Sequence, residues 1–179
     1  MKTFVALLRG INVWGKKKVE MSRLKSCFEE MGYTRVLTYI NSGNVIFDSE
    51  NDDFSKVELT LEQEFWFAIP VIFRDAHSII FLAESIRADW CNDSEYKTDV
   101  IFLAPWYEGE ESLHRIVYHP EVDHLVYIQW AIVWHLEKRL YSKSKIHDFI
   151  GTEIYKNMTA RNINTVRKLA AIVKKQMEK

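Results

Sequence analysis

Apolar and polar positions follow two rhythms along this chain, and each change of rhythm marks a new element. Phe4 to Leu8 is a continuous apolar run, which predicts a buried first strand. A loop with Gly10 and Gly15 follows. Met21, Leu24, Phe28 and Met31 then recur at helical spacing, and Gly32 stands where a helix stops. Tyr33 to Ile40 and Asn44 to Phe47 are rich in β-branched and aromatic residues around a polar turn, which predicts a hairpin. Ser55-Lys56-Val57-Glu58 reads as a capping box opening a helix, with Val57, Leu61, Phe65 and Ala68 on one stripe. Pro70 ends that helix, and Val71-Ile72-Phe73 makes a short strand. The order is β-α-β-β-α-β, the ferredoxin-like arrangement.

Asp75 is placed to cap a further helix carrying Ile79, Leu82, Ala83 and Ile86, and the polar stretch from Asp89 to Lys97 reads as a connection. Then the pattern restarts. Val100 to Leu103 suits a central strand, Ser112 to Tyr118 a short helix, and Leu125 to Ile128 with Ile132 to Leu136 a second hairpin turning near Trp130. A helix with Ile146, Phe149 and Ile150 follows. The last helix carries Ile163, Val166, Leu169, Val173 and Met177 on one face. The second half thus reads β-α-β-β-α-α. Element order is duplicated, with no residue-by-residue repeat in view. The expected fold class is α+β: two ferredoxin-like halves in tandem with mostly antiparallel sheets, residues 1–75 and 98–179, joined by a helix and linker over 76–97.

Composition narrows the setting. The chain has 179 residues, 47% of them hydrophobic, enough for one globular unit or two small halves. A formal charge of −1 argues against whole-surface attraction to nucleic acid or an anionic membrane, while leaving room for a local basic patch. No apolar stretch approaches the roughly 20 residues that span a bilayer. The apolar start meets Arg9 without a small-residue cleavage site, which argues against a signal peptide. Cys27 and Cys91 make no disulfide framework, so a cytoplasmic protein with reduced thiols is expected.

Three polar strings stand at element ends. Arg9 follows the first strand, where its planar fork of donors suits a carboxylate or phosphate, with Gly10 allowing close approach and Asn12 able to donate and accept. Lys16-Lys17-Lys18 adds positive charge beside that loop, as an anion-attracting fringe or a solvated surface. Asn41, Ser42 and Asn44 crowd the hairpin turn with more hydrogen-bonding groups than a turn needs. Thr159 is placed as the N-cap of the last helix, which would put Arg161 and Asn162 in its first turn and Thr165 just beyond, at an end suited to anions. Each string also has a structural explanation: an internal ion pair, a turn cap, an ordinary turn. Gly10 and Gly15 have phosphate-loop spacing, but Lys16-Lys17 follows in place of Lys-Ser/Thr. The six histidines show no metal-binding spacing, and neither a nucleophilic serine motif nor a string of interleaved aromatic and basic residues occurs. No cofactor or metal is expected.

Leu7-Leu8-Arg9-Gly10-Ile11-Asn12-Val13, Thr38-Tyr39-Ile40-Asn41-Ser42-Gly43-Asn44-Val45 and Thr159-Ala160-Arg161-Asn162-Ile163-Asn164-Thr165-Val166 together resemble the bacterial domain-of-unknown-function family 1697, in order and separation across essentially the whole chain. The resemblance implies two ferredoxin-like halves and no particular reaction. Trp14 stands where the family usually has a second glycine before Gly15, and Ile163 where a tryptophan commonly follows Arg-Asn.

Two functions compete. The first is a small-molecule site in which Arg9, Asn12, Lys16, Asn41, Ser42, Asn44, Arg161, Asn162 and Thr165 converge between the halves on an anionic, nucleotide-like ligand, acting by positioning and electrostatics. The second is a binding module, gripping nucleic acid through Lys16–Lys18 and the basic last helix or assembling through the tryptophan-rich second half. Whether there is catalysis, and the oligomeric state, stay open.

Overall fold

The computed structural model describes residues 1–13 and 15–178, so Trp14 lies outside the described residues. The chain forms two compact units, residues 1–79 with 171–179 and residues 80–170. Among the described residues no helix is long and apolar enough to cross a membrane.

In the first unit β1 (Lys2–Leu8), β2 (Thr34–Tyr39), β3 (Asn44–Ser49) and β4 (Val71–Asp75) make a sheet of order β2-β3-β1-β4, every neighbouring pair antiparallel. α1 (Met21–Glu30) and α2 (Val57–Phe65) supply the crossovers, giving the ferredoxin-like topology. Phe4, Ala6 and Leu8 alternate onto one face of β1, where they pack with Leu24 and Phe28 of α1 and Leu61 of α2. The intervening Val5 and Leu7 are also fully buried, which accounts for the unbroken apolar run. Beside the core, buried Asp48 accepts hydrogen bonds from Thr3 and Gln176 and pairs with Arg35.

The second unit repeats the plan. β5 (Tyr96–Leu103), β6 (His124–Ile128), β7 (Ala131–Glu137) and β8 (Met158–Asn162) are ordered β6-β7-β5-β8, again antiparallel throughout. Ile101, Leu103, Ile132, Trp134 and Leu136 form its core with Phe149, Ile154 and Met158. The fold is therefore two ferredoxin-like halves in tandem, as the element order predicts.

Several local expectations are corrected. The stretch from Met158 to Asn162 is an edge strand on β5, not the opening of a helix. The helix α6 (Ile163–Met177) begins afterwards, and its cap is Asn162, whose Oδ1 accepts from the Thr165 N–H at 3.0 Å. Thr159 instead sits buried within the strand. The cap is three residues later than predicted because ladder pairing with β5 claims the intervening backbone. The capping box at Ser55 does not form. Asp53 accepts from the Ser55 N–H at 3.0 Å, and the Glu58 carboxylate accepts from Val71 N–H at 2.7 Å, away from its own helix start. The α2 helix stops at Phe65, earlier than the stripe to Ala68, because Trp66 turns left-handed at φ 67°. The predicted helix over Ser112–Tyr118 is a 3-10 segment, Glu110–Arg115. The helix around Ile146 is two separate turns, α4 (Ile146–Phe149) and α5 (Glu153–Lys156).

The structure also reveals a residue-level repeat that the sequence conceals. Leu8 N–H bonds Gly43 O and Arg9 N–H bonds Pro70 O; correspondingly Leu103 N–H bonds Trp130 O and Ala104 N–H bonds Asn157 O. Arg74 pairs across the sheet with Val5, and Arg161 with Val100. Each arginine donates to the carbonyl just before it, and each is followed by an Asx cap: Asp75 to Ser78 N–H, heading α3 (Ala76–Ser85), and Asn162 to Thr165 N–H. Gly43 and Trp130, Pro70 and Asn157, Arg74 and Arg161, and Asp75 and Asn162 all lie 87 residues apart. Few identical residues span these pairs, because what is duplicated is backbone pairing.

Candidate functional site

The first-unit candidates gather where β1 ends. Asn12 adopts φ 54° in the loop after that strand, a conformation asparagine tolerates better than most residues. Its Nδ2 donates to Val19 O and to Asn41 O, each at 2.9 Å, while its Oδ1 accepts from Val19 N–H at 2.8 Å. One carboxamide thus closes residues 12–19 on themselves and ties them to the hairpin turn. Gly43 lets the turn lie against β1: a Cβ there would come within 2.7 Å of Leu8 Cβ and 2.8 Å of Ile11 Cδ1, at φ 75°. Asn44, fully buried, donates to Tyr39 O and to Ser42 Oγ, fixing the turn from inside. Asn12, Asn41, Ser42 and Asn44 are therefore brought together, and much of their hydrogen-bonding capacity holds the loops in place.

The cations are arranged differently. Arg9 is half-buried at the end of β1, with its N–H bonded to Pro70 O at 2.9 Å. Lys16, Lys17 and Lys18 are exposed, and among the described residues none makes an ion pair; Lys17 Nζ lies 5.5 Å from the centre of the Phe67 ring. No carboxylate occurs from Arg9 to Val19. A Cβ placed on Gly10 or Gly15 would meet nothing within 4 Å, so the loop's backbone borders open space. The arrangement can attract and hydrogen-bond an anion.

Arg161, Asn162 and Thr165 lie in the second unit. Arg161 is buried on β8, donating to Thr159 Oγ1 at 2.9 Å and Ala160 O at 2.8 Å. Burial pushes its guanidinium down to about 10. Thr165 is buried and its N–H is occupied by Asn162. Ile163 is fully buried.

Asp75 caps the helix after it, as the sequence predicts, but sequence reasoning missed two polar centres. One is Arg74 beside that cap, detectable only once its counterpart Arg161 is seen on a strand. Burial alone would raise the Asp75 carboxyl, but the Ser78 side chain and backbone outweigh it and hold Asp75 below its ordinary value. The other is Asp123, almost wholly buried, which accepts from Trp134 Nε1 at 3.0 Å, Ser144 Oγ at 2.5 Å, His119 N–H at 2.8 Å and Lys145 N–H at 3.1 Å. Those donors again override burial and lower its carboxyl. Nothing in the spacing of Asp123, Trp134 and Ser144 reveals that convergence.

Comparison with known proteins follows the same lines. The chain matches, with 26% identity and a TM-score of 0.77, the solved structure of the conserved bacterial protein SP0830 from Streptococcus pneumoniae, over 96% of this chain and 98% of that one. No curated protein matches it. The profile of the family described as a protein of unknown function, DUF1697, matches residues 1–134, a span that takes in the first two of the three resembling strings and stops short of the third. With three quarters of its length matched by that profile, the chain belongs to the DUF1697 family.

Proposed function

We propose that the end of the first sheet, where the loop after β1 meets the β2–β3 turn, binds an anionic small molecule of phosphorylated, nucleotide-like type. Arg9 and Lys16 supply the charge, while Asn12, Asn41, Ser42 and Asn44 shape and hold the rim. The observation that carries this reading is the contrast between the two units at one scaffold position. The strand-end hydrogen bonds of Leu8 and Arg9 recur at Leu103 and Ala104, yet Ala104-Pro105-Trp106-Tyr107 follows the second strand with no cation. The same frame thus recurs without positive charge at that position, whereas the first unit's loop carries Arg9 and three lysines and no carboxylate. Its pinning by Asn12 lowers the ordering cost of binding. Arg161, Asn162 and Thr165 enter as a second polar group, on the other unit. The free thiols, Cys27 buried and Cys91 half-buried, fit a reducing cytoplasm.

A thermal-shift screen of phosphorylated metabolites and nucleotides tests this on the wild type, Arg9→Ala and Arg161→Met. A compound that raises the melting temperature of the wild type but not of Arg9→Ala supports the reading, and retention of the shift in Arg161→Met confines the ligand to the first unit. An oligonucleotide that binds instead, weakening steeply between two salt concentrations, would replace it with backbone recognition of nucleic acid.

A further inference from the structure

Away from that loop, the second unit holds a histidine whose protonation pattern is fixed by its neighbours. His135 of β7 stacks on two aromatic rings, Trp90 at 4.7 Å and 6° and Tyr96 at 5.3 Å and 19°. Its Nδ1 is 2.8 Å from Thr98 Oγ1. The Thr98 hydroxyl has one hydrogen, and it is committed to Cys91 O at 2.6 Å. Thr98 can therefore only accept from the ring, so Nδ1 carries the proton. In the neutral ring Nε2 is then a bare acceptor. Burial, followed by the nearby His124, pushes His135 below the usual imidazole range, which keeps the ring neutral at pH 7.

Only 8% of His135 is exposed, Nε2 makes no hydrogen bond among the described residues, and the ring lines a cavity of 390 Å³. Asp89, Glu121 and Glu137 also line it, with one arginine, Arg87, and a second imidazole, His124. Asp89 pairs with that arginine and Glu137 with Arg139, leaving the wall on balance acidic. An unpaired acceptor on a largely buried ring, in a cavity whose lining also carries carboxylates, suits a ligand that is both positively charged and rich in N–H donors. We propose that this cavity binds an organic cation, an ammonium or amidinium group donating to His135 Nε2. Its volume, at the lower end of the range for small-molecule sites, suits a compact amine.

The experiment is a titration of the full-length protein with benzamidine, and with benzoate as its anionic counterpart of the same shape, followed by long-range 1H–15N NMR of the histidine rings. The expected spectrum of the free protein shows His135 protonated at Nδ1. Benzamidine should shift its Nε2 resonance while benzoate leaves it unchanged. His135→Phe keeps the stack and removes the acceptor, and should weaken benzamidine binding about tenfold or more, as expected for a lost hydrogen bond to a charged group. Thr98→Val, which frees Nδ1, should weaken it less and mix the tautomers. A proton found on Nε2 in the wild type overturns the proposal. So does benzoate binding as tightly as benzamidine, no benzamidine binding at all, or equal affinity in His135→Phe. If His135→Phe fails to fold, the wild-type tautomer and the Thr98→Val titration decide.

Discussion

Asn12→Asp changes one heavy atom of one side chain and reverses its meaning. The amide nitrogen that donates to Val19 O and Asn41 O becomes a carboxylate oxygen facing two carbonyls, while the bond accepted from Val19 N–H survives. Two hydrogen bonds are lost, each with a net value of about 1 kcal/mol, and the repulsion between oxygens adds to that. The Asn41 contact is exposed, so water relieves part of the cost there. The expected destabilisation at pH 7 is about 2–3 kcal/mol. The repulsion raises the new carboxyl's folded pKa above its unfolded value of about 3.9. A protonated carboxyl can again donate to one of the two carbonyls, so the penalty is smaller below the unfolded pKa and grows as pH rises through the folded one. Urea unfolding of wild type and variant at pH 7 and near pH 4 measures both quantities, with the gap expected to narrow in acid. Asn12→Gly is the control: it keeps the left-handed backbone and introduces no repulsion, so its deficit should not change with pH. A variant indistinguishable from wild type at pH 7, or a gap that widens on acidification, would refute the assignment of Asn12 as the pin between loop and turn.

Gly43→Ala should cost about 2–4 kcal/mol in urea or thermal unfolding, since its Cβ would press on Leu8 and Ile11 from a left-handed backbone; a loss below 0.5 kcal/mol would mean that the turn can lift off β1 freely. Asp123→Asn should cost about 2–4 kcal/mol at pH 7, because one amide nitrogen must face donors. Asp123's lowered folded pKa means its contribution is complete above the unfolded value and disappears as pH falls through the folded one, so this gap too should close in acid, below about pH 4.

The apolar rhythm of the chain determined most of the architecture. Phe4 to Leu8, Val45 to Phe47 and Val100 to Leu103 are buried on both faces, so their strands appear as unbroken apolar runs, and the positive φ of Gly32 and Gly43 marks a helix end and a turn. Residue types also placed the candidate loop, because Arg9, Asn12 and the lysines follow a strand that could be recognised. Tertiary structure alone decided that residues 158–162 are a strand. An edge strand of five residues, with Arg161 and Thr159 among them, carries too little periodicity to outweigh a sequence that also looks like a helix cap, and its pairing with β5 is a contact between distant parts of the chain. The same holds for the 87-residue repeat, for Asp123 and for the tautomer of His135. Each depends on backbone or side-chain atoms meeting across the fold, and local pattern records burial and turning but not which distant donor arrives at which acceptor.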